Sequence, residues 1–449
     1  MKNLLIENLL IVCGGTLYGS APGGEITAVT TDSRSVTPGC LFAAIRGQRV
    51  DGHDFIAGAL AQGAACCLAE RVPQGVEGCV ILVQDTVQAL QRLAGFYRAQ
   101  FRFPVVGVTG SVGKTTAKEM LAAVLAERYT VHKTAGNFNN DLGVPLTLFG
   151  LREDHSAAVV ELGVSHPGDM ARIAAIARPT IALYTNIGDA HLEYLGSREG
   201  VAREKTEMNR FLPRDGLVLC NGDDPLLAGM PCAQKKITFG LGTGCDLRAG
   251  SVRTAAGGGL SCEITAGAQR FSVEIPAFGD HLVYAALGAA AAGLALGLSA
   301  EEIRAGIAHY RPLGSRGRLI STGMLRIIDD CYNANPTSMA AALRSLSRQS
   351  GRRVCILGDM LELGERAEAL HTEIGQLAGS LGIELVLTAG PLGAHIAAGA
   401  RGVSRHFPEK AALLEALPEL LRQGDTVLVK ASRGMHFEDV TAALERLEP

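Results

Sequence analysis

The stretch Val105-Val-Gly-Val-Thr-Gly-Ser-Val-Gly-Lys-Thr-Thr116 constrains this chain more than any other. A β-branched apolar run leads into closely spaced glycines and then Gly-Lys-Thr-Thr, so the local order is strand, tight loop, helix. Glycines let main-chain N–H groups face phosphate oxygens, and the start of the following helix adds partial positive charge. In open α/β sheets, ligands sit beyond the C-terminal ends of parallel strands. The loop therefore predicts a parallel-sheet domain that binds the phosphates of a nucleotide through Gly110, Ser111, Val112, Gly113, Lys114, Thr115 and Thr116. Lys114 would reach the outer phosphates, and the Thr115 hydroxyl would face Mg²⁺. The common spacing, G-x-x-x-x-G-K-[ST], would need glycine at 108. This chain has Val108 and places the glycine at 110, which points away from GTPases and transport ATPases.

The surrounding pattern supports that domain. Strand-like runs at 104–109, 157–162, 180–186 and 217–221 alternate with helical patterns at 114–127, 167–177 and 199–210, the signature of βαβ units. Short alternating runs between 246 and 275 predict an antiparallel addition. Leu282–Leu298 is uncharged but dominated by Ala and Gly, so it reads as a close-packed buried helix rather than a membrane span. Before residue 100, short apolar runs at 40–45 and 79–83 suggest a small α/β module. Arg311–Arg318 is rich in Pro, Gly and charge, as a linker would be. Beyond it, strands at 325–330, 354–357, 385–388 and 426–429 alternate with helices. The expected fold class is α/β in three domains: a small N-terminal module over 1–99, a central P-loop ATPase domain over 100–312 and a C-terminal Rossmann-like doubly wound domain over 313–449.

Composition excludes other classes. With 449 residues, 47% apolar and a net charge of −3, the chain can bury several cores and carries no basic run, so a nucleic-acid partner is not expected. Its 11 cysteines include no C-x-x-C pair, which argues against a zinc ribbon or a disulfide scaffold and for reduced thiols in the cytoplasm. At the start, Glu7 and Asn8 interrupt the leucine-rich run, predicting an amphipathic helix rather than a signal peptide.

Further segments carry a resemblance. TTDSRSVTPGCLFAAIRGQRVDGHDF (30–55), GNFNNDLGVP (136–145), ELGVSHPGDM (161–170), TNIGDAHLEYLGS (185–197), VAREKTEM (201–208), IIDDCYNANPTSM (327–339), LGDMLELG (357–364) and LVKASRG (428–434) occur in this order. With the tight phosphate loop they resemble the Mur ligases, over essentially the whole chain. The Asn-rich loop, the D-D-x-Y-N-A-N run and G-D-M-x-E-L-G point to the branch that adds a dipeptide. The D-N-P-R motif of the diamino-acid-adding sister is absent.

The resemblance implies an ATP-dependent ligase that forms a peptide bond between UDP-N-acetylmuramoyl-tripeptide and D-alanyl-D-alanine in cell-wall precursor synthesis; composition adds that no nucleic-acid partner and no membrane span are expected, and a monomer is the expected assembly. Such an enzyme activates the substrate carboxylate as an acyl phosphate, which the dipeptide amine then attacks. Bringing a carboxylate to a γ-phosphate demands concentrated positive charge. The resemblance implies Lys114, Glu161, His191 and Lys205 as the catalytic set. Of these, Glu161, His191 and Lys205 would join Thr115 around magnesium, with Lys205 carbamylated by CO₂. It also assigns residues 110–116 of the phosphate loop to ATP and implies His281, Arg318 and Asp330 as further contacts to that nucleotide. Asp32, Ser33, Arg34, Arg46, Gly47 and His53 would meet the uridine diphosphate. Asn137, Asn139 and Asn140 would lie near the sugar and carboxylate, and Asn333, Asn335, Lys430, Ser432 and Arg433 on the dipeptide side. Pattern alone leaves simpler readings open, above all Lys205 as a helix-surface lysine paired with Glu204 or Glu207. One departure stands out: the family's second asparagine near adenine is Ala285 here. The competing functions are another amide ligase of the superfamily, such as a folylpolyglutamate synthase, and a nucleotide-gated P-loop regulator.

Overall fold

A computed structural model describes residues 1–47, 49–255, 259–277, 279 and 281–448. Three sheets of five, nine and six strands organise these residues. In the central sheet the P-loop strand Val105–Thr109 lies between Ala157–Glu161 and Ile181–Tyr184, all parallel. Such a strand is covered on both faces, and every residue of Val105–Thr109 is buried, which explains its unbroken apolar run. Leu217–Asn221 and Lys235–Gly240 extend the sheet in parallel. Leu247–Thr254 pairs in parallel with Lys235–Gly240, and Leu260–Ala266 and Gln269–Ile275 then add the antiparallel strands expected from the alternating pattern.

The Ala/Gly-rich segment forms the helix His281–Ala295 and packs against the P-loop helix Lys114–Leu125 and the helix Ala300–His309. Small residues allow this closeness. The helix Ala300–His309 packs on the P-loop helix as well, and there a Cβ on Gly306 would stand 2.4 Å from Val124 Cα. Among the described residues no helix is long and apolar enough to cross a membrane.

The five-stranded sheet at the chain start is parallel apart from its Thr16–Tyr18 edge. The leucine-rich beginning forms the helix Ile6–Cys13, which buries Ile6, Leu9 and Cys13. Helix Thr86–Arg98 packs both on that helix and on Gly143–Phe149 and Asp169–Ala177. One apolar cluster therefore runs from Leu4 through Leu93 to Met170. The stretch up to residue 99 thus shares its core with the central sheet, which short apolar runs read one at a time do not reveal.

The C-terminal sheet has the order Arg318–Ser321, Arg326–Asp329, Thr426–Lys430, Arg353–Leu357, Leu385–Ala389, Ser404–Phe407, and only its first strand is antiparallel. Apolar clusters cover both faces, as a doubly wound sheet requires. The expected linker over 311–318 ends directly in the first strand.

The packing of Gly306 can be tested. Alanine improves helix propensity by about 1 kcal/mol over glycine, but a backbone atom at 2.4 Å cannot give way cheaply. Gly306→Ala is expected to destabilise by about 1–3 kcal/mol through overpacking, read from urea denaturation. Gly244→Ala, where an added Cβ meets nothing within 4 Å, is expected to stay within about 0.5 kcal/mol of the parent.

Candidate active site

The phosphate loop is built against the strand end beside it. A Cβ at position 110 would lie 1.9 Å from Thr185 Oγ1, so only glycine fits there. Gly113 has φ of 80° and begins the helix from a left-handed turn, the second place where a side chain would be strained. Thr185 Oγ1 donates to Val112 O at 2.6 Å, and the Asn186 side chain accepts from Val112 N at 2.9 Å and donates to Val112 O at 3.1 Å. Ser111 Oγ accepts from Gly188 N at 2.8 Å. Thr185 and Asn186 are functional residues that the motif T-N-I-G-D contained without revealing, because their partner is main chain far away in sequence.

Thr115 Oγ1 donates to Glu161 Oε2 at 2.9 Å, with both residues buried. Asn139 Nδ2 donates to Glu161 Oε1 at 2.7 Å. Lys118, one helical turn after Lys114, is fully buried with Nζ 3.7 Å from Glu161 and hydrogen bonds to Thr134 O and Gly136 O. Sequence reasoning missed this lysine, although its i+4 spacing from Lys114 puts both on neighbouring turns of one helix face. A buried carboxylate is tolerable only when paired and hydrogen-bonded, and here every partner holds Glu161 towards the loop. A hydroxyl and a carboxylate are hard oxygen donors, and Mg²⁺ is usually held by one or two carboxylates with phosphates and water. Thr115 and Glu161 fit that ion. Among the described residues no group of three His, Cys, Asp or Glu side chains assembles, so the full expected metal set is not a ready-made cage.

Lys114 Nζ donates to Gly110 O at 2.8 Å. Burial, with Arg316 adding to it, pushes its pKa below the usual lysine value, against the opposing pull of Glu161. Lys205 is 1% exposed, on the helix Arg198–Thr206, which removes the surface-lysine reading. Glu204 is occupied elsewhere, accepting from Gly168 N and Met170 N at 2.9 and 2.8 Å, and Glu207 pairs with Arg210. Burial and then the charge of Lys114 drive the Lys205 pKa well down. His191 sits in the left-handed region at φ 59°. Its pKa is lowered by burial first and by Lys114 next, which favours the neutral imidazole.

Several expected contacts have other work here. His53 is fully buried; its Nδ1 lies 2.6 Å from Asp51 and its Nε2 accepts from Glu70 N at 2.9 Å. With both ring nitrogens used, His53 braces its loop rather than meeting a ligand. Arg46 lies 3.6 Å from the same Asp51, and Gly47 N donates to Val50 O. Asp32 caps the turn Ser33–Ser35 and holds Arg34 with two side-chain bonds. That pairing lowers the Asp32 pKa to about 2. Asn140 accepts from Leu142 N and Gly143 N, closing a turn, and Asn137 O accepts from Asn139 N.

In the C-terminal domain, Lys430 is 2% exposed and donates to Asp330 Oδ2, Asp330 O and Asn333 O. Ser432 Oγ accepts from Leu361 N at 2.9 Å and donates to Ala334 O. Asn335 caps the helix Pro336–Ser347, and Asn333 Oδ1 accepts from Ala334 N. Lys430 and Ser432 therefore shape the loop rather than offer free groups, because their polar atoms are already taken, and the Asn335 side-chain oxygen is spent on its cap. Arg433 stays exposed beside Glu438 and Tyr332. Asp329 is turned inwards and Asp330 outwards. Arg318 is engaged by Glu445 at 3.0 Å and Asp329 at 3.5 Å, whereas Arg316, stacked 3.7 Å over the Tyr332 ring, is the guanidinium that influences Lys114. The His281 side chain lies outside the described residues, and Ala285 is buried.

A phosphate loop at a parallel sheet edge, a buried carboxylate on its threonine and a Rossmann-like domain following it define a three-domain, nucleotide-binding P-loop protein. Comparison with known proteins narrows this. The family models "Mur ligase family, catalytic domain", "Mur ligase middle domain" and "Mur ligase, glutamate ligase domain" match residues 25–98, 108–293 and 315–433. A Bacillus subtilis protein named UDP-N-acetylmuramoyl-tripeptide–D-alanyl-D-alanine ligase is 40% identical over 98% of each chain. Two crystal structures resemble the fold closely: a MurF from Acinetobacter baumannii, with a TM-score of 0.93, 33% identity and 99% of each chain covered, and a MurF ligase from Thermotoga maritima in complex with ADP, with a TM-score of 0.86, 30% identity and 94% and 97% covered. This chain belongs to the Mur ligase family.

The Thr115–Glu161 pair yields a direct test. Thr115→Val and Glu161→Gln preserve volume but remove a hard oxygen donor or a charge, so each is expected to lower ATP turnover by at least about 100-fold while melting within a few degrees of the parent. Phosphate release together with thermal denaturation reads both, and near-normal turnover would remove the pair from the metal site.

Proposed function

We propose that this chain joins D-alanyl-D-alanine to UDP-N-acetylmuramoyl-tripeptide, with ATP converted to ADP and phosphate, in the cytoplasm. One observation carries the reading: a single unbroken match over 98% of both chains links it to the Bacillus subtilis ligase of that name. The site chemistry agrees. A carboxylate cannot expel oxide, so it must first take the γ-phosphoryl group. The acyl phosphate then gives the dipeptide amine a carbonyl with a leaving group. Lys114 stands where it would balance the charge of the meeting anions. Thr115 and Glu161 would hold Mg²⁺, which when bound supplies further positive charge to the phosphates. Asn139 and Lys118 keep Glu161 oriented. The match of residues 25–98 to a Mur ligase model favours this substrate over a folate, since a folylpolyglutamate synthase would not share that start.

Lys205 is proposed to act as a carbamate. Only the neutral amine adds CO₂, losing a proton as it becomes an anion. The fully buried ammonium beside Lys114 is disfavoured by desolvation and like charge, so the local chemistry supplies the reactive species. Among the described residues Lys205 Nζ has no hydrogen bond or ion pair that would hold it as a cation.

The identity test is phosphate release with separate acceptors. Release and a product of summed mass are expected only with UDP-N-acetylmuramoyl-tripeptide and D-alanyl-D-alanine together; release with folate and glutamate would overturn the reading. Lys205→Ala is expected to abolish ligation and to recover part of it in formate or acetate, whereas Lys205→Arg is expected to stay inactive. An active arginine variant would return Lys205 to an ordinary cation. For the exposed Arg433, Arg433→Ala is expected to raise KM for the dipeptide by about tenfold, the equivalent of one lost charged contact, with KM for the UDP substrate unchanged. Equal shifts in both would place Arg433 outside the dipeptide site.

A further inference from the structure

His191 and Glu362 reach towards each other from different domains. His191 follows the central strand Ile181–Tyr184, and Glu362 lies in the loop after the C-terminal strand Arg353–Leu357. Glu362 Oε2 stands 2.9 Å from His191 Nδ1, yet Nδ1 is sealed from solvent without a hydrogen bond of adequate direction. Both residues occupy the left-handed region, at φ 59° and 61°. Non-glycine residues seldom adopt it, and they persist there where surrounding structure imposes it.

The loop carrying Glu362 is fixed by what precedes it. Asp359 Oδ1 accepts from Gly393 N at 2.7 Å, Met360 N donates to His371 Nε2 at 2.8 Å, and Leu361 N donates to Ser432 Oγ at 2.9 Å. Met360 and Leu363 are buried on either side of the pair Leu361–Glu362. Leu361 and Glu362 are both exposed, the Glu362 side chain at 57%. Folding of the C-terminal domain does not need its carboxylate, but the loop presents that carboxylate to the histidine. Beside the contact, a cleft of about 600 Å³ separates residues 189–199 from 363–366, so the two walls have room to approach and align the pair.

We infer that Glu362 is the positioning residue for His191: its carboxylate accepts a hydrogen bond from the His191 Nδ1–H across the domain interface, which fixes the tautomer and leaves Nε2 as the nitrogen free to ligate. A ligand histidine commonly donates its second ring N–H to a carboxylate, which orients the ring and raises its basicity. Here that carboxylate comes from the other domain, so the histidine is held only when the C-terminal domain is seated. This rests on the ligase reading, which makes His191 a metal ligand.

The experiment uses the full chain with ADP and titrates Mn²⁺ by electron paramagnetic resonance, alongside steady-state ligation. Glu362→Ala is expected to weaken Mn²⁺ binding by about tenfold and to lower kcat by a similar factor, with KM for the UDP substrate and the melting temperature unchanged. Glu362→Gln keeps an acceptor oxygen and is expected to recover part of both. In a His191→Ala background, Glu362→Ala is expected to have no further effect. Parent-like Mn²⁺ binding in Glu362→Ala, or an undiminished loss without His191, would overturn the inference and leave the ligase reading standing. A parent protein that neither ligates nor binds Mn²⁺ with ADP would overturn both.

Discussion

The grip of Thr185 and Asn186 on the Val112 main chain is the contact on which the site depends. Glycine at 110 and 113 makes the phosphate loop permissive, and the neighbouring strand end, together with the Ser111 hydroxyl bonded to Gly188, makes it definite. Once Val112 is fixed, the helix from Lys114 must start in one place, and Thr115 is thereby set against Glu161. Removing the grip would leave a Gly-rich loop with many conformations and no aligned N–H groups. Strand order does the rest, since the P-loop strand has the Glu161 strand on one side and the Thr185 strand end on the other.

The same site is electrostatically unfinished without its substrates. Burial first, and then the nearby charge of Lys114, disfavour the charged form of Lys205, while Lys114 is itself disfavoured by burial and by Arg316. The nearby anion Glu161 is shared with Lys118. Such an excess of positive potential in a desolvated site is costly for the protein alone and favourable once polyphosphate and carboxylate enter. The distribution of charge thus describes an enzyme that binds anions, rather than one stabilised by its own ion pairs.

The C-terminal domain contributes through preorganised loops more than through free side chains. Lys430 ties Asp330 to the Asn333 turn, and Ser432 ties the Leu361 turn to Ala334. These buried, fully satisfied groups are rigid. They brace the loop that brings Glu362 to His191 of the central domain. In the N-terminal module His53 plays the corresponding part, holding Asp51 and the Glu70 main chain.

The sequence by itself determined the α/β class, the succession of a small module, a P-loop domain and a second doubly wound domain, and the phosphate loop with its lysine and threonine. These follow from local patterns, because parallel strands read as apolar runs and a phosphate loop needs glycine at set positions. Motif resemblance also reached Glu161, His191 and Lys205. The tertiary structure decided which polar residues are free and which are spent. Asn140, Asn335, His53, Lys430 and Ser432 look like ligands in a motif, but Asn140 and Asn335 are taken up by backbone N–H groups two or three residues on, and His53, Lys430 and Ser432 bond groups that folding brings close. Lys118 and Thr185 look ordinary, yet folding places them on Glu161 and Val112. Burial decided Lys205 in the same way: a helix with three charged neighbours reads as solvent-facing, and only packing within the central domain takes the amine out of water. Hydrogen-bond satisfaction and desolvation are properties of three-dimensional neighbourhoods, and for that reason spacing along the chain cannot supply them.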